Sequence, residues 1–278
     1  MGFFSQGEGP LSNLKARIEK IVAVGGGWAQ KNLKRQATLE IDREIVRLSG
    51  RRRPSLLFIP TASSDDEGYC RAVERHFGQG LGCRVTFLWL VREHPAAQEM
   101  REKILGADII YVGGGNTLKM MGIWRRHGVD RLLWQALRRG TVLSGLSAGS
   151  ICWFRYGNSD SRKKHPRDKT LIRVAGLGMI PVLNCPHYDG EAHRRGSLKQ
   201  MMKRTREIGL AVEDHCAVIF LGDRFRIISS RRGKKAYKVY WQEGRYCEEP
   251  ILPGDQFHPI EQLLKKGEGR QLNLFTSL

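Results

Sequence analysis

Thr141-Val142-Leu143-Ser144-Gly145-Leu146-Ser147-Ala148-Gly149-Ser150-Ile151 carries a β-prone apolar run into a Gly-x-Ser-x-Gly turn, and apolar residues continue through Phe154. This is the pattern of a nucleophile elbow, in which a strand ends in a sharp turn, a serine stands at its apex and a helix leaves behind it. Glycines suit such a turn because neighbouring backbones approach closely and little room is left for Cβ atoms. The pentapeptide alone is weak in a glycine-rich chain, so its meaning depends on what surrounds it.

Upstream, short apolar runs alternate with amphipathic ones. Strands are expected at 21–24, 55–59, 84–90 and 108–112, and helices at 39–48, 67–77, 96–105, 117–126 and 129–139. That alternation predicts an α/β fold built on a mostly parallel sheet with helices on both faces, where functional groups gather at the C-terminal ends of strands. Gly25-Gly26-Gly27, Gly113-Gly114-Gly115-Asn116 and Ser147 all fall at such ends. The first of these is not a dinucleotide fingerprint, because Gln30 stands where a third spaced glycine belongs.

Downstream, 156–169 reads as a polar basic loop, 178–184 as a short apolar stretch leading to Pro186-His187, and 196–207 as a helix. Cys216–Leu221 and Arg224–Ile228 flank Gly222-Asp223, a strong hairpin signal, and a further hairpin is expected around 237–246. The sheet should therefore finish in antiparallel strands near the C-terminus. One domain over 1–278 is expected, with a lead-in at 1–18 ending in a short helix near 13–20 and a peripheral tail from about 253 to 278.

The 278 residues, 41% apolar and 27% charged, can bury a substantial core. No apolar run approaches the roughly 20 residues that cross a bilayer, and the start of the chain lacks the basic-then-apolar pattern of a secretory signal. Six scattered cysteines without CxxC spacing fit reduced, mostly buried thiols rather than a zinc site. A cytoplasmic protein with neither membrane partner nor metal is the expectation. The net charge of +19 admits nucleic acid as a partner, but the basic pairs are spread along the chain without a recognisable binding motif.

A serine hydroxyl needs a base to take its proton and an acid to orient that base. Among the eight histidines, His76, His94 and His127 are expected to be solvated, His165 lies in a basic loop, and His187 alone follows an apolar stretch toward the sheet edge. For the acid, Asp160, Asp168, Asp189, Glu191, Glu213 and Asp214 are all conceivable. Ala148 N–H, directly after the serine, is the natural first oxyanion donor, and the 113–115 glycines offer the second.

Tyr111-Val112-Gly113-Gly114-Gly115-Asn116-Thr117, then Gly145-Leu146-Ser147-Ala148-Gly149, then Pro186-His187-Tyr188 resembles the dipeptidase E and cyanophycinase family of serine peptidases, over roughly residues 20–230. The resemblance implies a sheet related to class I glutamine amidotransferases and hydrolysis of short peptides through an acyl-enzyme, without a cofactor. It implies Ser147 as nucleophile, His187 as general base, Asp160 as acid, and Gly114, Gly115 and Ala148 as oxyanion donors. Asn116, His193 and Arg194 are expected to contact substrate. Aspartyl dipeptidases of the family carry a Gly-Glu-Thr-Arg segment whose arginine binds the substrate aspartate. Gly190-Glu191-Ala192-His193 departs from it, with Arg194 and Arg195 just behind. The C-terminal hairpins extend beyond the compact dipeptidase and fit a role in narrowing access or in a homodimer. Other readings are a cyanophycinase-like exopeptidase, an α/β-hydrolase esterase using His258, and a nucleic-acid-binding protein.

Overall fold

β1 (Lys20–Val24) shows why the chain forms layers. Its four apolar residues are completely buried, with Ile21 and Ala23 facing one core and Val22 and Val24 the other. That is the two-residue period of a strand covered on both faces. The same alternation holds in β2 (Ser55–Ile59), β4 (Ile109–Val112) and β5 (Val142–Leu146). The computed structural model describes residues 20–27, 37–162, 165, 168 and 170–267. The short helix expected near 13–20 lies almost wholly outside them, as does the tail beyond 267.

The first sheet has eight strands in the order β14-β11-β10-β1-β5-β4-β2-β3, where β3 is Arg84–Phe87, β10 Cys216–Leu221, β11 Arg224–Ser229 and β14 His258–Pro259. β1, β5, β4, β2 and β3 run parallel, and β10, β11 and β14 add antiparallel pairs. One face is covered by α1 (Leu39–Leu48) and α2 (Glu67–Val73), through Ile41, Ile45, Tyr69 and Val73. The other is covered by α3 (Ala97–Leu105), α4 (Thr117–His127) and α5 (Val129–Arg138). The α/β class and the parallel central strands are as expected from sequence.

A second sheet was not expected. It has six strands in the order β13-β12-β9-β8-β6-β7, with β6 at Phe154–Ser159, β7 Ile172–Ala175, β8 Ile180–Cys185, β9 Gly209–Val212, β12 Ala236–Gln242 and β13 Arg245–Ile251. Ile180, Val182, Leu210, Val212 and Ala236 join the same core as Ile21 and Ala23, so the sheets share a core. On its far side Leu183, Cys185 and Ala211 pack against Leu198 and Met202 of α7 (Ala192–Lys203), a helix that begins four residues earlier than its sequence suggests.

The elbow helix, α6, is only Ala148–Ile151, and the chain then enters β6 where a polar loop was expected. Hydropathy misses β6 because it carries polar side chains into the interior. Asn158 donates to Ser197 Oγ at 3.1 Å, and Ser159 Oγ donates to Thr117 Oγ1 at 3.2 Å. The helix expected over 67–77 changes at Glu74 into a π-helical turn that runs to Gly80. Within that turn His76, expected to be solvated, is 2% exposed and bonded through Nε2 to the buried Asp42 carboxylate at 2.8 Å.

Candidate active site

Three consecutive carbonyls at the end of β1 organise the site. Val24 O accepts from Ser147 N–H at 3.2 Å, Gly25 O from His187 N–H at 3.1 Å, and Gly26 O from His215 N–H at 3.0 Å. The first tie holds the end of β5. The others hold the segments that leave β8 and β9, two parallel strands of the second sheet. The central strand thus fixes groups from both sheets at one edge.

Ser147 sits at φ 56°, ψ −109°, a strained conformation for a residue with a Cβ. The flanking glycines permit the turn. A Cβ on Gly149 would lie 2.0 Å from Val112 O, and one on Gly145 would lie 2.4 Å from Gly149 O. Ala148 heads α6, so its N–H has no acceptor within the helix. Gly114, at the end of β4, lies beside the serine, with its Cβ position 3.4 Å from Ser147 Cβ. Gly114 N–H donates to Tyr69 Oη at 3.3 Å, whereas Gly115 N–H has no acceptor among the described residues.

His187, also at positive φ (54°), places Nδ1 2.7 Å from Asp214 Oδ1. Burial raises the Asp214 carboxyl, but the hydrogen bond and charge of His187, with His215 and Lys234, outweigh it and hold the group below its ordinary value. An ionised carboxylate only accepts, so the shared proton is on Nδ1, and in the neutral imidazole Nε2 carries the lone pair. Asp214 is itself oriented, because its N–H donates to Asp189 Oδ1 at 2.8 Å.

His187 thus meets Asp214 rather than Asp160, the acid expected from sequence. Asp160 follows β6 in a turn tied to the start of α4 instead: Asn116 Nδ2 donates to Ser161 O at 2.9 Å, and Leu118 N–H to Ser161 Oγ at 3.0 Å. No hydrogen bond or ion pair joins Asp160 to His187 among the described residues. Asp214 was only one of six conceivable acids. Its signal was its place between the apolar run ending at Val212 and the strand beginning at Cys216.

The residues expected to contact substrate make contacts within the chain. Asn116 caps α4, accepting from Lys119 N–H at 2.9 Å, so both ends of its amide serve the fold. Arg194 is 2% exposed, with Nη1 donating to Asn158 O at 2.9 Å and Nε to Glu191 Oε2 at 3.0 Å. His193 Nε2 lies 3.3 Å from the same Glu191 oxygen. Arg194 is thus a buried tie rather than a free cation. Arg194→Ala should cost about 1–3 kcal/mol of unfolding free energy, because Glu191 and Asn158 O lose a charged donor. Urea unfolding measures this, and an unchanged midpoint would show that the tie contributes nothing.

Gly26 gives a sharper test of the geometry. A Cβ there would fall 1.9 Å from Asp214 Oδ1 and 2.4 Å from His187 Nδ1. Gly26→Ala should push the pair apart and lower kcat by about 100-fold or more. An active Gly26→Ala enzyme, assayed with peptide substrate, would contradict this placement.

His258 lies on β14, where it pairs with Phe225 of β11, four strands from β5 in the sheet order. At about 4.8 Å per strand that is on the order of 19 Å from the serine strand, which removes the support for an α/β-hydrolase arrangement.

A parallel sheet edge bearing a serine elbow, with a histidine–carboxylate pair delivered from a second sheet, defines a hydrolase-type site. Residues 19–228 match peptidase family S51. The chain belongs to that family and is a peptidase. It is 35% identical over 236 residues to the uncharacterized peptidase YgaJ of Bacillus subtilis (strain 168), covering 84% of this chain and 97% of that one. It is 23% identical over 229 residues to peptidase E of Shewanella denitrificans, covering 78% and 89% of the two chains. The crystal structure of a peptidase from an acI-B1 Actinobacterium has the same fold, with a TM-score of 0.67 at 19% identity over 87% of this chain and 97% of that one. No described helix is long and apolar enough to cross a membrane.

Proposed function

We propose that this chain is a serine peptidase that hydrolyses short peptides through an acyl-enzyme on Ser147. The observation that carries the reading is the His187–Asp214 hydrogen bond, held on the β1 carbonyl next to the one that holds Ser147. In this mechanism His187 Nε2 takes the hydroxyl proton as Ser147 Oγ bonds to the scissile carbonyl carbon. The carbonyl π pair moves onto oxygen, where Ala148 N–H and the Gly114–Gly115 loop stabilise the oxyanion. Collapse of the intermediate breaks the C–N bond, and the imidazolium gives its proton to the leaving amine. Water, deprotonated by the same imidazole, then attacks the ester and frees Ser147.

The buried Arg194 argues against selection of an N-terminal aspartate by that side chain. Short peptides of broader sequence are therefore the proposed substrates. A fluorophosphonate probe tests the mechanism. It should label the parent enzyme once per chain, at Ser147 by peptide mapping, and leave Ser147→Ala unlabelled. Labelling at another residue would refute the assignment.

A further inference from the structure

The run Arg231-Arg232-Gly233-Lys234-Lys235 is a basic cluster that forms the turn between β11 and β12, and apart from Lys234 its cations play no part in the peptidase site described above. With Ser230 and Pro253 it lines an open cleft of about 520 Å³. Four cations in five residues repel one another, and among the described residues a carboxylate pairs with one of them. Lys234 pairs with Asp189, whereas Arg231, Arg232 and Lys235 have no carboxylate partner among the described residues. Other arginines do find one: Arg194 meets Glu191, and Arg226 meets Glu44.

The turn is nevertheless held firmly. Lys235 N–H donates to Glu213 Oε2 at 3.0 Å, Ser230 N–H to His215 O at 2.9 Å, and Ser229 Oγ to the same carbonyl at 3.1 Å. Its backbone also offers donors. Gly233 stands at φ +82° with open space on its Cβ side. The N–H groups of Arg232 and Gly233 have no acceptor among the described residues. Two guanidinium forks, an ammonium and unpaired backbone N–H groups around an open cleft match the needs of a multiply charged phosphate oxyanion.

We propose that the Arg231–Lys235 turn binds a small phosphate-bearing anion, held by Arg231, Arg232 and Lys235 at a site separate from the peptidase centre. The site adjoins that centre through Lys234 and Asp189, which reach the Asp214 N–H. Its occupancy does not depend on the acyl-enzyme mechanism. A smaller basic cleft of about 320 Å³, lined by Arg131, Trp134, Gln135 and Arg138, provides an internal control for general charge attraction.

Calorimetric titration of the full chain with inorganic pyrophosphate at low ionic strength tests the proposal. Saturable one-to-one binding is expected, and Ser147→Ala should retain it. Each cation removed should weaken it roughly tenfold, so Lys235→Gln alone gives a partial loss and a combined R231A/R232A/K235A variant a near-complete one. The combined variant should keep the parent's melting transition, since none of these side chains holds an ion pair among the described residues. R131A/R138A should bind like the parent. Absence of saturation, or equal binding by the combined variant, would overturn the site. So would an equal loss in R131A/R138A, which would mean unspecific charge. A labelled single-stranded oligonucleotide separates free anion from nucleic acid. Pyrophosphate should displace it, and tight oligonucleotide binding that survives the triple substitution would replace the proposal.

Discussion

Ser147→Ala should lower kcat by about 10⁴-fold or more, and Ser147→Gly should do the same while making the protein more stable. Activity falls in both because the attacking hydroxyl is gone. Stability diverges because of the backbone. At φ 56°, ψ −109° a Cβ is strained, at a cost of about 1–3 kcal/mol that the Val24 O bond and the α6 turn must offset. Alanine keeps the Cβ and therefore the strain. Glycine removes it and loses about 0.5–1 kcal/mol through its freer unfolded chain, which leaves a net gain of about 1 kcal/mol. Urea unfolding of the three proteins, with turnover of a dipeptide panel, measures both effects. A Ser147→Gly protein less stable than Ser147→Ala would refute the strain at the elbow. A Ser147→Ala enzyme with parental kcat would refute the nucleophile.

The elbow was legible because its constraints are local. A strand, a turn with no room for Cβ atoms and a buried short helix write themselves into eleven consecutive residues. The parallel strands were legible for a similar reason, since strands buried on both faces are continuously apolar, as Leu56–Ile59 and Ile109–Val112 are. The second sheet was not, because β6 buries Gly157, Asn158 and Ser159, and the Asn158 side-chain amide N–H and the Ser159 hydroxyl donate to Ser197 and Thr117, 39 and 42 residues away. The acid followed from that gap. With 156–169 read as a loop beyond the elbow helix, Asp160 lay nearest to hand. Once β8 and β9 are parallel neighbours, His187 and Asp214 leave adjacent strand ends and meet. A contact between residues 27 apart leaves no periodic trace in sequence. The burial of Arg194 left no trace in sequence either, as it depends on the same β6, whose Asn158 carbonyl accepts from it.

Asp214→Asn and Asp160→Asn should separate the two acids by activity. Asp214→Asn is expected to lower kcat by about 10³–10⁴-fold, because a neutral amide neither fixes the proton on His187 Nδ1 nor stabilises the imidazolium that forms as Ser147 attacks. KM should change little, since Asp214 acts through His187 rather than on the peptide. Asp160→Asn should stay within about tenfold of the parent, as its turn is held by Ser159 and Ser161 rather than by its carboxylate. Stability adds an independent readout. The folded Asp214 pKa lies below its ordinary 3.8, so its ionised form contributes stability above that pH, and this is lost as pH falls through the folded value. The stability gap between parent and Asp214→Asn should therefore be full near neutrality and shrink in acid below about pH 4. The reverse ranking of the two variants in kcat would return the acid to Asp160. A gap that is constant through the acid range would mean that the Asp214 carboxylate is not held in its charged form by His187.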